Sequence, residues 1–293
     1  MQTTIRTSIA ILAAALLCGH PRPATAQAVD FGRGALPVHA PTSFEASAPR
    51  PLVILLHGYG SNGARHDRYM NFRTWVDEYG FFLVSPDGTE AETERRPRFW
   101  NASAACCNFA GSTVDDSGYI LGIIDDMKAR YPIDADRVFL IGHSNGGFMS
   151  FRVAREHSEE IAAIVSLAGA AASRDLPAPN SPVHILQIHG TRDETILFEG
   201  GELGGTAYPG AVETVARWAA YNGCRAEGTV MDEALDLDDA VDGAETIVTR
   251  FDGDCRPGGS AELWTIQEGA HSPDLSERFA PEVVEWLFAH PKR

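Results

Sequence analysis

Beyond residue 18 the chain has no apolar run approaching the ~18 residues that a membrane-crossing helix needs, so no transmembrane helix is expected. It also lacks basic charge. Lys and Arg number 24 against 40 Asp and Glu, for a formal net charge of −16. A surface this acidic repels polyanions, which argues against nucleic acid, acidic polysaccharide or anionic membrane as partners and favours neutral substrates. No internal repeat and no low-complexity linker interrupts the chain. Cysteine is scarce, five in 293 residues. None of the four beyond Cys18 shows C-x-x-C spacing or a nearby histidine, which leaves little case for zinc. The acidic stretch 231–243 fails as a calcium loop. Counted from Asp238, its third position is Ala240 and its twelfth Thr249, and neither supplies a carboxylate. Neither a metal nor an organic cofactor is expected, and the acidic stretch reads as a solvated loop.

What is present begins with a targeting pattern. Met1–Thr7 carry one charged side chain, Arg6, and Ile9–Cys18 are apolar. His20, Pro21 and Pro23 follow, then Ala24-Thr25-Ala26. This is the order of a signal peptide and its A-x-A cleavage site. Residues 1–26 are expected to be removed after Ala26, with Ala28 as the second choice. Cys18 is a poor lipidation site because Leu16 and Leu17 occupy the places of small residues. Removal takes away Arg6 and Arg22 and no acid, leaving an acidic mature protein that is secreted or periplasmic. In that compartment the remaining Cys106, Cys107, Cys224 and Cys255 suggest disulfides. Four cysteines allow three pairings. The simplest joins Cys224 to Cys255, with Cys106 and Cys107 bonded to each other or free.

Residues 27–293 suffice for one large core and are expected to form a single domain. Strand-like and helix-like segments alternate, which predicts an α/β fold with a mostly parallel sheet and helices on both faces. Leu52–Leu56 (LVILL) has the continuous apolar character of a strand buried on both sides. Further strands are expected at 81–84, 137–141, 161–167, 183–188, 246–251 and 262–266. Helices are expected at 65–79, 116–131, 145–157, 209–221 and 281–289, and residues 88–114 read as a long loop. The chain ends at Arg293, just after the last expected helix, so no separate polymer-binding module is expected.

The chemistry concentrates at Gly142-His143-Ser144-Asn145-Gly146-Gly147, a G-x-S-x-G pattern between the strand RVFLI and the helix-forming run FMSFRVAREH. Strand, sharp turn and helix in that order make a nucleophile elbow, which lifts the serine hydroxyl above the sheet edge. A serine hydroxyl needs a base, and the base needs an orienting acid. In this fold both follow the serine, the acid first. Asp193, in HGTRD after the strand HILQI, is the expected acid, with Glu194 as its rival. His271, in EGAHS after the strand ELWTI, is the expected base, with His189 as its rival. His143 is expected to point away on the elbow. Acyl transfer also needs donors for the oxyanion. The backbone amide of Asn145 should be one. The other should come from His57-Gly58-Tyr59-Gly60, with Tyr59 preferred over Gly60.

These motifs together resemble the esterase/polyhydroxybutyrate depolymerase family of the α/β-hydrolase superfamily, which includes feruloyl and acetylxylan esterases. The resemblance rests on HGYGSNG at 57–63, WNASAACCN at 100–108, VDDSGYI at 114–120, GHSNGG at 142–147, HGTRDETI at 189–196, YNGC at 221–224 and EGAHS at 268–272. It implies an α/β-hydrolase fold, a Ser144–Asp193–His271 triad and a Cys224–Cys255 disulfide. It also places Cys106 and Cys107 near the active-site rim and Trp100 in the substrate cleft. Many relatives continue past the histidine with Ser-Trp-Pro, whereas this chain reads His271-Ser272-Pro273 and lacks that tryptophan. The implied activity is hydrolysis of hydroxyalkanoate oligoesters or small esters, with feruloyl or acetyl sugar esters as the alternative. An acyltransferase would use the same triad. A peptidase is disfavoured by the lack of an added propeller or large cap, and a non-catalytic scaffold by the filled triad positions.

Overall fold

The computed structural model describes residues 27–45, 47–172 and 176–292. The expected signal peptide lies outside the described residues. The strands are β1 (Gln27–Asp30), β2 (Ala35–His39), β3 (Arg50–Leu56), β4 (Phe82–Val84), β5 (Thr89–Glu90), β6 (Arg98–Phe99), β7 (Ile133–His143) and β8 (Ala163–Leu167). They continue as β9 (His184–Gly190), β10 (Gly200–Leu203), β11 (Thr206–Pro209), β12 (Thr229–Val230), β13 (Thr246–Phe251) and β14 (Ala261–Ile266). The helices are α1 (Gly63–Met70), α2 (Val76–Tyr79), α3 (Asp116–Arg130), α4 (Asn145–Glu156), α5 (Ala211–Tyr221) and α6 (Phe279–Phe288).

The main sheet has the order β1-β2-β4-β3-β7-β8-β9-β14-β13-β12. Its centre, from β4 to β14, is parallel, and antiparallel strands close both edges. The apolar runs explain the centre. Leu52–Leu56 are fully buried because helices cover both faces of a parallel sheet. On one face Ile54 and Leu56 join Ile120, Ile123, Val153 and Trp218. On the other, Val53 and Leu55 join Phe72, Phe139, Val283 and Leu287.

Several segments depart from the sequence expectation, among them the expected loop 88–114, which contains the paired strands β5 and β6. The helix expected over 65–79 is broken at Asn71, which adopts φ 57° and caps α1 through its N–H to the Asp67 carbonyl. A short 3-10 turn then leads into α2. The hairpins β1–β2 and β10–β11 had no clear pattern in the sequence. The acidic stretch 231–243 is not wholly a solvated loop, since Leu237 and Asp238 are buried. Asp238 Oδ1 accepts the N–H groups of Ala240 (3.1 Å) and Asp274 (2.9 Å), so this stretch braces the chain just past His271. Among the described residues no helix is long and apolar enough to cross a membrane, and no group of three or more His, Cys, Asp or Glu side chains could hold a metal ion.

The four cysteines among the described residues pair as Cys224–Cys255 and as the neighbours Cys106–Cys107.

Candidate active site

Register places the candidate residues side by side. In the parallel pair β9–β14, Gly190 lies opposite Ile266, so the loops that carry Asp193 and His271 leave the sheet together. Backbone bonds keep them joined: Thr191 N–H to Ile266 O at 3.0 Å and Arg192 N–H to Gly269 O at 2.9 Å. On the other side Leu56 lies opposite Gly142, which sets the His57–Gly60 loop beside the elbow.

Ser144 sits between β7 and α4 with φ 53° and ψ −120°, a backbone state that costs a non-glycine residue on the order of 1–3 kcal/mol and persists only where its surroundings enforce it. Its N–H is held by Leu167 O at 2.8 Å. The flanking glycines are required by close approach. A Cβ on Gly142 would fall 2.1 Å from the Gly146 carbonyl oxygen, and one on Gly146 would fall 2.1 Å from the Leu56 oxygen.

Asp193 is buried and fully engaged. Oδ1 accepts the N–H groups of Thr195 and Ile196, each at 2.8 Å. Oδ2 accepts His271 Nδ1–H at 2.7 Å and faces His189 Nε2 at 3.2 Å. Burial alone would raise its pKa. The hydrogen bonds from His189 and His271 outweigh burial and hold the carboxyl well below the usual carboxylate range. Glu194 is exposed, and no described hydrogen bond joins it to this network.

His189 does not present a free nitrogen. Gln187 Nε2 donates to Gly169 O at 2.8 Å and to His189 Nδ1 at 3.0 Å. With Nδ1 accepting, the proton resides on Nε2, which points at Ile196 O (2.7 Å) and Asp193. His189 therefore supports the acid and cannot serve as the base.

His143 corrects another expectation. Rather than pointing away, its Nε2 bonds the His271 carbonyl at 2.9 Å, and the two rings lie 5.1 Å apart. It also stacks on His66, with centroids 5.2 Å apart and planes 16° apart. Burial lowers the His143 pKa to about 4, so at neutral pH the ring is uncharged and donates through Nε2. Tyr69 Oη donates to Pro273 O at 3.0 Å, a second hold on the loop that bears His271.

The candidate oxyanion donors lie on the other side of Ser144. A Cβ on Gly58 would stand 3.5 Å from Ser144 Cβ. Gly60 N–H is committed to Arg98 O at 2.8 Å, whereas no described hydrogen bond uses the Tyr59 N–H. Asn145 opens α4, so its own N–H is one of the first-turn donors without an intrahelical acceptor. Its side chain clamps Trp100, with Oδ1 accepting the Trp100 N–H at 2.7 Å and Nδ2 donating to the Trp100 carbonyl at 3.0 Å. Trp100 does not line a cleft. It is completely buried, and its indole N–H donates to His57 O at 2.9 Å. Cys106 and Cys107 are likewise buried.

Residues 39–214, more than half of the chain, match the model of the phospholipase/carboxylesterase family, and the chain belongs to that family. NocK of Nocardia uniformis subsp. tsuyamanensis, a protein assigned as an esterase, is 30% identical over 152 residues, 52% of this chain and 42% of that protein. A bifunctional acetylxylan esterase/xylanase of Neocallimastix patriciarum is 27% identical over 162 residues, 55% of this chain and 22% of the relative. The chain thus spans less than half the length of these two relatives. An acetyl xylan esterase from Aspergillus awamori matches over 89% of this chain and 98% of its own, with TM-score 0.60 and 17% identity, a likeness of fold.

Proposed function

We propose that this member of the phospholipase/carboxylesterase family is a secreted serine carboxylic-ester hydrolase. Ser144 is its nucleophile, His271 its base and Asp193 its orienting acid. The reading is carried by the His271 Nδ1–Asp193 contact at 2.7 Å, with the His271 ring 5.1 Å from the ring of His143, the residue that precedes Ser144. With Nδ1 protonated toward the carboxylate, Nε2 is the nitrogen left to receive a proton.

His271 Nε2 takes the Ser144 proton as the oxygen attacks the ester carbonyl. The carbonyl oxygen becomes an oxyanion, held by the Asn145 and Tyr59 amides. Asp193 supports the imidazolium. The tetrahedral species collapses as His271 returns the proton to the departing alcohol, leaving an acyl-Ser144. Water, deprotonated by the same histidine, attacks the acyl group, and the acid leaves as Ser144 regains its proton. No step calls for a cofactor.

The proposed substrates are hydroxyalkanoate oligoesters or small neutral esters, a choice supported by the net charge of −16. Acetyl or feruloyl sugar esters are the second reading, favoured by the activity named for the Neocallimastix relative. Secretion is supported by the pattern of residues 1–26 and by the two disulfides.

The test is a panel of nitrophenyl acetate, butyrate and octanoate, methyl ferulate, acetylated xylan and a hydroxybutyrate trimer, run with the wild type and Ser144→Ala. Turnover that disappears in the variant supports the reading, and the preferred ester selects the substrate class. Equal rates for both proteins on every ester would refute it.

A further inference from the structure

Among the described residues most large apolar side chains are buried, but Tyr59 and Phe109 are 43% and 58% exposed and touch each other. Their rings meet edge to face, with centroids 5.4 Å apart and planes at 71°. Fifty residues separate them in sequence, so the contact is made by the fold. Tyr59 follows Gly58, whose backbone abuts Ser144.

Phe109 is not on a loose tip. Cys106 and Cys107 are bonded just before it. Asn108 Nδ2 donates to Asn101 Oδ1 at 3.1 Å and to Ser112 O at 2.6 Å, and its Oδ1 accepts Ser112 N–H at 2.8 Å. Across from the ring, the β10–β11 turn passes close. A Cβ on Gly204 would stand 3.6 Å from two Phe109 ring carbons. The base of that hairpin is tied to the loop bearing Asp193, since Leu197 N–H donates to Tyr208 Oη at 2.9 Å. Leu197 itself is 45% exposed.

Exposed apolar surface held rigidly at a site gives up burial energy and is characteristic of a place where another molecule completes the contact. Aromatic rings fixed in advance bind flat or extended apolar groups with little ordering cost. Tyr59 follows the glycine beside Ser144, Phe109 meets Tyr59 directly, and Leu197 follows Ile196, whose N–H donates to Asp193, so these exposed apolar side chains stand on loops that border the reacting centre.

We propose that Tyr59 and Phe109, with Leu197 beyond them, form a specificity subsite for the bulky apolar segment of the ester. Resting on the esterase reading, this assigns the enzyme to esters of acyl groups larger than acetyl: a long acyl chain such as octanoyl reaches the rim, and an acetyl group does not.

The test compares kcat/KM for nitrophenyl octanoate and nitrophenyl acetate in the wild type, Phe109→Ala and Phe109→Tyr. The octanoate-to-acetate ratio should fall about tenfold in Phe109→Ala, chiefly through KM, and recover in Phe109→Tyr. Unchanged thermal melting checks that the exposed substitution leaves the fold intact. A ratio that stays within twofold of wild type, in a protein that turns over both esters through Ser144, would overturn the subsite and leave the esterase reading standing. Absence of Ser144-dependent turnover on either ester would remove both.

Discussion

Replacing Asp193 by Asn changes one atom, and the structure dictates how the new amide must sit. Two backbone N–H groups, from Thr195 and Ile196, converge on Oδ1 at 2.8 Å, so the amide oxygen is forced there. The NH2 group then occupies the Oδ2 position and faces His271 Nδ1 and His189 Nε2. His189 cannot adapt, because Gln187 donates to its Nδ1 and is itself anchored on the Gly169 carbonyl. His271 can adapt, by moving its proton from Nδ1 to Nε2. That puts a proton on the nitrogen that must accept one from Ser144. Loss of the correct tautomer in such a triad costs ~10⁴ in kcat, or ~5 kcal/mol of barrier. KM should change little, because the ground-state complex does not use this contact. Two donors left facing each other near His189 should also cost about 1–3 kcal/mol of stability. The assay is steady-state hydrolysis of nitrophenyl butyrate at pH 7.5, paired with denaturant unfolding. Glu194→Gln, an exposed change one residue away, should keep wild-type kcat. A folded Asp193→Asn enzyme within tenfold of wild type would refute the tautomer argument and the role given to Asp193.

His143→Ala removes the donor to the His271 carbonyl and should lower kcat roughly 10–100-fold by loosening the base, as a small misplacement does. His143→Gln, which keeps an N–H donor, should recover most of that loss in the same kinetic assay. Burial lowers the pKa of His57 and of His143 to about 4. Between pH ~6.5 and ~4 the unfolded chain therefore binds more protons than the folded one, so stability falls as pH drops through that window, by on the order of several kcal/mol for the pair. Calorimetric melting at pH 7, 5.5 and 4.5 should show this fall, and a flat profile would contradict it. Cys224→Ala/Cys255→Ala opens a loop with a sequence separation of 31 and should cost roughly 3–4 kcal/mol in the chain-entropy account, read as a lower urea midpoint with a steeper slope, because the unfolded chain loses its crosslink and expands.

The parallel centre of the sheet was legible because its strands carry their burial in their composition. LVILL and RVFLI are apolar on both faces, and only a strand covered on both sides tolerates that. The elbow was legible because its signature is local: two glycines lie within five residues, Gly142 required by the turn's own backbone at Gly146 and Gly146 by the backbone of the neighbouring strand at Leu56. Asp193 and His271 follow recognisable strands closely enough that the sheet itself delivers them to one edge. Less local features could not be seen. The hold of His143 on His271 spans 128 positions, and nothing near either residue in sequence signals it. The break at Asn71 hides inside an amphipathic run, since a single left-handed residue leaves the apolar stripe of Tyr69, Phe72 and Val76 almost unchanged. The acidic stretch looked solvated because charge was counted and partners were not. Asp238 is satisfied by backbone donors, which no composition reveals.

Trp100 shows the same limit in a form that bears on mechanism. A tryptophan in a loop beside the proposed nucleophile invites a substrate contact, yet its ring is buried and its polar atoms are all spent. The Asn145 side chain accepts its backbone N–H and donates to its carbonyl, and its indole N–H donates to the His57 carbonyl. His57 in turn donates to Gly58 O at 2.8 Å and accepts Gly88 N–H at 2.9 Å. The chain of bonds starts on the residue that opens α4 and ends on the loop that carries Tyr59. Its two ends are the two segments proposed to hold the oxyanion. Electrostatic stabilisation of a transition state depends on donors that need no rearrangement when charge develops. A buried, neutral, fully bonded tryptophan and histidine between those donors supply that rigidity. In this reading Trp100 serves the reaction by fixing the distance between two amides, and the substrate contact falls to the exposed pair Tyr59 and Phe109 instead.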